Sequence, residues 1–231
     1  MFNARGGTSY RLIALLIILA ITAILWWLVY GEEFMGAKSV MAWSLAGKTV
    51  VIDPGHGGAD PGVVDQEGLV EKDINLQISR SLAEILRQAG ATVIMTREND
   101  AVDAASKKAD LDKRLSLMTD SDSSICISIH ANSFPAQPNV YGAQVFYGAH
   151  DEKGQILANY VQKQLTRVTK SDRKALAHPS AYLLKNNEVP LILVEVGFFS
   201  NEKEKKLLQD PEYRWQLAWA VYSGTVEYFS Q

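Results

Sequence analysis

From Lys48 onward the chain alternates short apolar runs of β type with stretches of helical periodicity, and that alternation restricts it to a layered α/β fold. Lys48 to Asp53 reads as the first strand. Val70, Ile74, Ile78, Leu82, Ile85 and Ala89 then recur every three or four residues, which predicts a helix over about 70–89, stopped by Gly90. Further strands are predicted at Ala91–Thr96, Ser124–Ile129, Gly142–Tyr147, Ala181–Leu184 and Leu191–Val196, with helices at Ala109–Thr119, Asp151–Val168 and Pro211–Phe229. The loop Ala131–Tyr141 carries two prolines and two asparagines and should be exposed. The expected fold is a single-domain, three-layer α/β/α sandwich over residues 48–231, built on a largely parallel sheet of about six strands.

The N-terminus reads differently. Leu12 to Tyr30 is nineteen residues without a charge, long enough at about 1.5 Å per residue to cross a hydrocarbon core of about 30 Å. It exceeds the roughly 7–15 apolar residues of a signal peptide, ends in Trp26, Trp27 and Tyr30, and is followed by Gly31-Glu-Glu33. It is read as one uncleaved transmembrane helix, with Val40-Met-Ala42 as a late cleavage site under the alternative of a signal sequence. Arg5 and Arg11 precede the span and Glu32 and Glu33 follow it, so residues 1–11 form a cytoplasmic tail. Residues 31–47 become a linker, and the domain lies outside the cytoplasmic membrane, or is secreted if the segment is cleaved. A net charge of −3 gives no broad basic surface for nucleic acid. The lone Cys126 permits no intrachain disulfide and reads as a core thiol.

In such sheets, ligands gather where strands end at their carboxyl edge. The first strand runs into Asp53-Pro-Gly-His-Gly-Gly58, the third into His130-Ala-Asn132, and Leu191-Ile-Leu-Val-Glu-Val-Gly197 carries Glu195 in an otherwise apolar run. A carboxylate there is costly to bury unless it is paired, protonated or facing a polar cavity. The glycines around His56 fit neither standard phosphate-binding loop. No G-x-S-x-G elbow is present, and the cysteine lies inside a strand, so nucleophilic hydrolase readings fail. Zinc accounts for the set better, since a catalytic site takes three protein ligands from His, Asp or Glu. His56 and His130 supply two; Glu71, at the start of the helix after the His56 loop, is the natural third, with Asp53, Asp60 and Asp73 as competitors. Asp60 reads more readily as a turn residue and Asp73 as a first-turn acid favoured by the helix dipole.

Ile52-Asp-Pro-Gly-His-Gly-Gly58, Glu71-Lys-Asp73, Ser128-Ile-His-Ala-Asn132 and Val194-Glu-Val-Gly-Phe-Phe-Ser-Asn201, in this order, resemble the zinc-dependent N-acetylmuramoyl-L-alanine amidases of bacterial cell walls, the amidase_3 type. The resemblance covers roughly residues 48–229. It implies one zinc ion per chain on His56, Glu71 and His130, with Glu195 as the catalytic glutamate. The reaction it implies is hydrolysis of the amide joining N-acetylmuramic acid to the L-alanine of the stem peptide. Arg97 and Asn132 are placed near the cleft as candidate substrate contacts, with a structural salt bridge or loop hydrogen bond as the alternative for each. Val93-Ile-Met-Thr-Arg-Glu98, the stretch from Arg173-Lys174 to Tyr182-Leu183, and the short chain with an apolar N-terminus look most like the spore-cortex members. That implies peptidoglycan as partner, functional partnership with a muramic acid deacetylase, muramic lactam formation and a part in germination. A vegetative wall amidase, a zinc peptidase on stem peptides and a non-catalytic glycan-binding module are the alternatives.

Overall fold

The computed structural model describes residues 13–26, 44–102 and 104–231. It divides into two units, Met1–Trp43 and Ser44–Gln231. In the first, residues 13–26 form a helix (α1) whose Leu15, Leu16 and Ile18 are exposed. No helix among the described residues is long and apolar enough to cross a membrane. The expected span over 12–30 includes Leu12 and residues 27–30, which lie outside the described residues, as do the expected tail over 1–11 and positions 31–43 of the expected linker.

The second unit runs β1 (Thr49–Pro54), α2 (Glu71–Gln88), β2 (Thr92–Met95), α3 (Lys107–Asp120), β3 (Ile125–Asn132), β4 (Gln144–Tyr147), α4 (Glu152–Thr169), β5 (Leu176–Ala177), α5 (Tyr182–Asn186), β6 (Leu191–Phe198), α6 (Glu202–Gln209) and α7 (Pro211–Phe229). It is one α/β domain on a six-stranded mixed sheet in the order β2-β1-β3-β6-β4-β5. Every pairing is parallel except β4 with β6. The unit takes in residues ahead of Lys48: Leu45 is fully buried and its N–H donates to Ala89 O at 3.0 Å.

Alternation along each strand sorts the side chains onto two unequal faces. Val50, Ile52, Ile125, Ile127, Ile129, Ile192, Val194 and Val196 share one core with Ile78 and Leu82 of α2, Leu157 and Val161 of α4, and Leu217 and Val221 of α7. The opposite face carries a smaller cluster, Val51, Cys126 and Leu191 under Met118 of α3 and Leu183 and Leu184 of α5. Burial raises the Cys126 thiol to about 12, so it behaves as an apolar core group.

Three elements, α5, β5 and α6, depart from the sequence expectation. Ala181–Leu184, expected as a strand, leads into helix α5: the Lys185 N–H donates to Ala181 O at 2.9 Å. That turn buries Leu183 and Leu184 together against the small cluster, which a strand could not do, because consecutive side chains of a strand point to opposite faces. The edge strand β5 lies just before it. Helix α6 falls where the hydrophobic pattern predicts nothing. Its polar sequence is started by Asn201, whose side chain accepts from the Lys203 and Glu204 N–H groups.

Candidate metal centre

β1 leaves the sheet at Pro54 into a turn that exists to let groups approach closely. Gly55 N–H donates to Ile129 O at 2.9 Å, and a Cβ on Gly55 would lie 2.2 Å from the His130 ring, so no other residue fits. A Cβ on Gly62 would lie 2.4 Å from a carboxylate oxygen of Glu71. His56 itself takes a positive φ of 61°, a conformation an L side chain adopts only where its surroundings impose it.

What imposes it is a pair of buried guanidinium groups. Arg97, at the end of β2, donates to Pro54 O (2.9 Å), Gly55 O (2.9 Å) and Lys72 O (2.8 Å). Arg114, from α3, donates to Pro54 O (2.8 Å), His56 O (2.6 Å) and Asp53 Oδ1 (2.8 Å). Every carbonyl from Pro54 to His56 therefore meets a fixed cation. Arg97, expected as a substrate contact, is only 6% exposed and lies beneath the turn, its donors directed at main-chain carbonyls. Asn132, the other such candidate, sits at the irregularity that ends the β3–β6 register, where its side-chain oxygen accepts from the Ser133 N–H at 2.7 Å.

Glu71 opens α2, and its carboxylate is the hub of the site. One oxygen, Oε1, lies 3.1 Å from His56 Nε2 and 3.2 Å from His130 Nδ1, and accepts from the Ala131 N–H and the Asn75 amide, both at 3.2 Å. The other, Oε2, accepts from the Val63 N–H at 2.9 Å. Burial opposes its charge, but the two histidines outweigh that and hold its pKa well below the usual carboxylate range. The imidazoles meet edge to face with centroids 4.9 Å apart. The three residues each present one donor atom within 4.8 Å of the others, a group able to hold a metal ion. Two imidazole nitrogens and one carboxylate oxygen, all near the sheet edge, are a donor set that suits a catalytic zinc.

Strand register delivers the fourth residue. His130 pairs with Glu195 across β3 and β6, and Glu195 with Gln144 across β6 and β4. Glu195 Oε2 is sealed from solvent without a hydrogen-bond partner. Burial raises its pKa to about 7, helped by Glu71 and opposed by His130 and His56.

The competing carboxylates are otherwise engaged. Asp53 is buried under the turn, bonded to Arg114, to the Ser128 hydroxyl (2.6 Å) and to the Thr96 hydroxyl (2.6 Å). Asp73 is exposed in the first turn of α2. Asp60 touches His56, but on the far nitrogen: Nδ1 to Oδ2 is 3.0 Å. Arg114 carries no sign of its role in the sequence beyond the Asp110-to-Arg114 spacing of a helical ion pair, which the structure shows at 2.8 Å.

Comparison with known proteins shows the family. The Amidase_3 family model, described as N-acetylmuramoyl-L-alanine amidase, matches residues 50–227. The germination-specific N-acetylmuramoyl-L-alanine amidase of Bacillus subtilis (strain 168) is 38% identical over 210 residues, covering 86% of this chain and 88% of that protein. Among solved structures, the CwlD amidase from Clostridioides difficile, in complex with the GerS lipoprotein, superposes with a TM-score of 0.75 at 38% identity, covering 79% of this chain and 98% of that one. The amidase AmiC2 of Nostoc punctiforme gives 0.72 at 31% identity, over 80% of this chain and 99% of that one.

Proposed function

The chain belongs to the Amidase_3 family of N-acetylmuramoyl-L-alanine amidases and is a peptidoglycan amidase; from that premise we propose that it is zinc-dependent and removes stem peptides from spore-cortex peptidoglycan. His56, Glu71 and His130 would hold the ion in this reading. Bound there, zinc supplies a Lewis acid that polarises an amide carbonyl and eases deprotonation of water.

The single observation that carries the mechanism is Glu195, a partly buried carboxylate beside the trio whose Oε2 is sealed from solvent and unpartnered. With its pKa raised to about 7 by burial, it is divided between base and acid at neutral pH, the condition for a group that must do both jobs. As base it takes a proton from water as the water oxygen adds to the scissile carbonyl. As acid it returns that proton to the amine as the C–N bond breaks. The products are a free lactyl carboxylate on the muramic acid and a peptide with a free N-terminal L-alanine.

The cortex assignment is supported by 38% identity to the germination-specific relative over nearly its whole length. Muramic acid stripped of its peptide is then open to a deacetylase and to lactam closure. A lipoprotein partner, as in the CwlD complex, is part of the same proposal. So is a location outside the cytoplasmic membrane, with the apolar N-terminal segment as anchor. The Leu45 N–H bond to Ala89 O, past the C-terminal end of α2, brings the chain into the domain at the sheet edge opposite His56 and Glu71.

The test is product analysis. The purified full chain with zinc, given peptidoglycan, should release peptides beginning in free L-alanine and leave glycan strands uncut. Fragments with other new N-termini would point to a stem-peptide peptidase, and binding without release to a glycan module. For the cortex reading, muropeptides from spores lacking the protein should lose muramic lactam; an unchanged profile would move the substrate to the vegetative wall.

A further inference from the structure

The two histidines of the centre are held in different ways. His130 is fixed by packing, its ring lying flat against the bare Cα of Gly55. His56 protrudes on a turn with positive φ and is fixed by a hydrogen bond, from Nδ1 to Asp60 Oδ2 at 3.0 Å. A carboxylate only accepts, so this contact keeps a proton on Nδ1; Nε2 faces Glu71 Oε1 at 3.1 Å and is the nitrogen free to exchange its proton for an ion.

Asp60 is itself held from three directions. Its main chain forms a two-way bridge with Gly57 (2.9 and 3.0 Å), and Oδ1 accepts from the Gly62 N–H at 3.1 Å. Lys107, the first residue of α3, reaches Oδ2 at 2.8 Å. Were Asp60 only a turn residue, its main-chain bridge and the Gly62 bond would suffice, and the second oxygen would have no reason to sit between an imidazole and an ammonium.

We propose that Asp60 is a positioning residue for the metal centre: its carboxylate, steadied by Lys107, fixes the tautomer and direction of His56 so that Nε2 is the nitrogen presented to the ion. The inference rests on the reading of His56 as a metal ligand. A carboxylate behind a ligating imidazole orients the ring and raises its basicity, and losing such a partner typically weakens metal binding 10- to 100-fold.

Zinc affinity, measured by competition with a chromophoric chelator, tests it without reference to turnover. Asp60→Ala should raise the zinc Kd roughly 10- to 100-fold while still binding one ion at saturation. Asp60→Asn keeps an acceptor oxygen and should recover most of the loss. Lys107→Ala, at an exposed position, should weaken binding several-fold. In nitrogen-15 spectra of the zinc-loaded protein, His56 should be coordinated through Nε2 in the wild type and lose that single state in Asp60→Ala.

Wild-type affinity in Asp60→Ala, with His56→Ala having lost zinc, would overturn the role of Asp60 and leave the metal reading standing. Wild-type affinity in His56→Ala would overturn both. If Asp60→Ala does not fold, Lys107→Ala decides: weaker binding supports the proposal and unchanged binding overturns it.

Discussion

The two faces of the sheet are made by the same strands and do opposite work. On one, aliphatic residues of the four inner strands run the length of the sheet and are covered by the long helices α2, α4 and α7. On the other, the apolar cluster ends part-way, covered only by α3 and the one-turn α5. Beyond it the same face continues as Asp53, Ser128, His130 and Glu195, because side chains of a strand return to a face every second residue. A fully covered face stores stability. A face left half covered exposes strand ends, and polar groups are tolerated there because Asp53, Ser128 and His130 each have a partner. Glu195 Oε2 has none.

That contrast predicts opposite consequences for substitutions on the two faces. The largest effect should come from Glu195→Gln, which keeps shape and removes the exchangeable proton. Turnover of peptidoglycan should fall by roughly 10²- to 10⁴-fold, while the thermal midpoint stays level or rises, since a buried carboxylate without a partner has been made neutral. Turnover near wild type in the purified variant would remove Glu195 from the mechanism.

Next in size is Arg114→Met. It takes the cation from a buried pair and leaves the Asp53 charge and the Pro54 and His56 carbonyls short of donors. Breaking such a pair costs about 3–5 kcal/mol. The double variant with Asp53→Asn should recover part of that in urea unfolding, because the two residues share one network. A loss under 1 kcal/mol would mean the two hydroxyls on Asp53 suffice, and that the polar half of the thin face is not held from α3.

On the covered face, Leu82→Ala empties a fully buried position of α2. The expected cost is about 2–5 kcal/mol, with kcat of the folded fraction within a few-fold of wild type. A large fall in kcat without loss of stability would contradict the division of labour between the faces.

The sequence exposes this division unevenly. His56, His130 and Glu195 are legible because each interrupts or ends an apolar run, and Glu71 because it opens a helix with strong 3.6-residue periodicity. These are local patterns. Asp60 and Arg97 are visible as residues but their roles are not decided: Asp60 reads as a turn former, and Arg97, following a strand, as a cleft residue or a structural charge. Arg114 gives even less away, since on a short, weakly amphipathic helix it looks like a solvated charge. Its partners lie 58 to 61 residues earlier, and only the packing of α3 across β1 brings them together. The same limit explains α5, whose few apolar residues fit a strand or a turn of helix until the small cluster they fill is known.

The smallest expected effect is a change of slope with pH, and it separates the faces without altering packing volume. Burial alone would raise the Asp53 pKa, but the Arg114 charge and the Ser128 and Thr96 hydroxyls overcome it and hold the carboxyl below its ordinary value. The native state then binds fewer protons at this position than the unfolded chain does. The resulting stability is fully present above the unfolded value of about 3.9 and is lost as pH falls through the lower native value. Urea midpoints of the metal-free protein, followed from pH 6 downward, should therefore drop more steeply for the wild type than for Asp53→Asn, and the two curves should converge in acid. Leu82→Ala should run parallel to the wild type throughout, displaced by a constant amount, since it changes no proton count. If Asp53→Asn also runs parallel, Asp53 adds nothing to the acid sensitivity of the thin face, and its bond to Arg114 only offsets the cost of burying both charges.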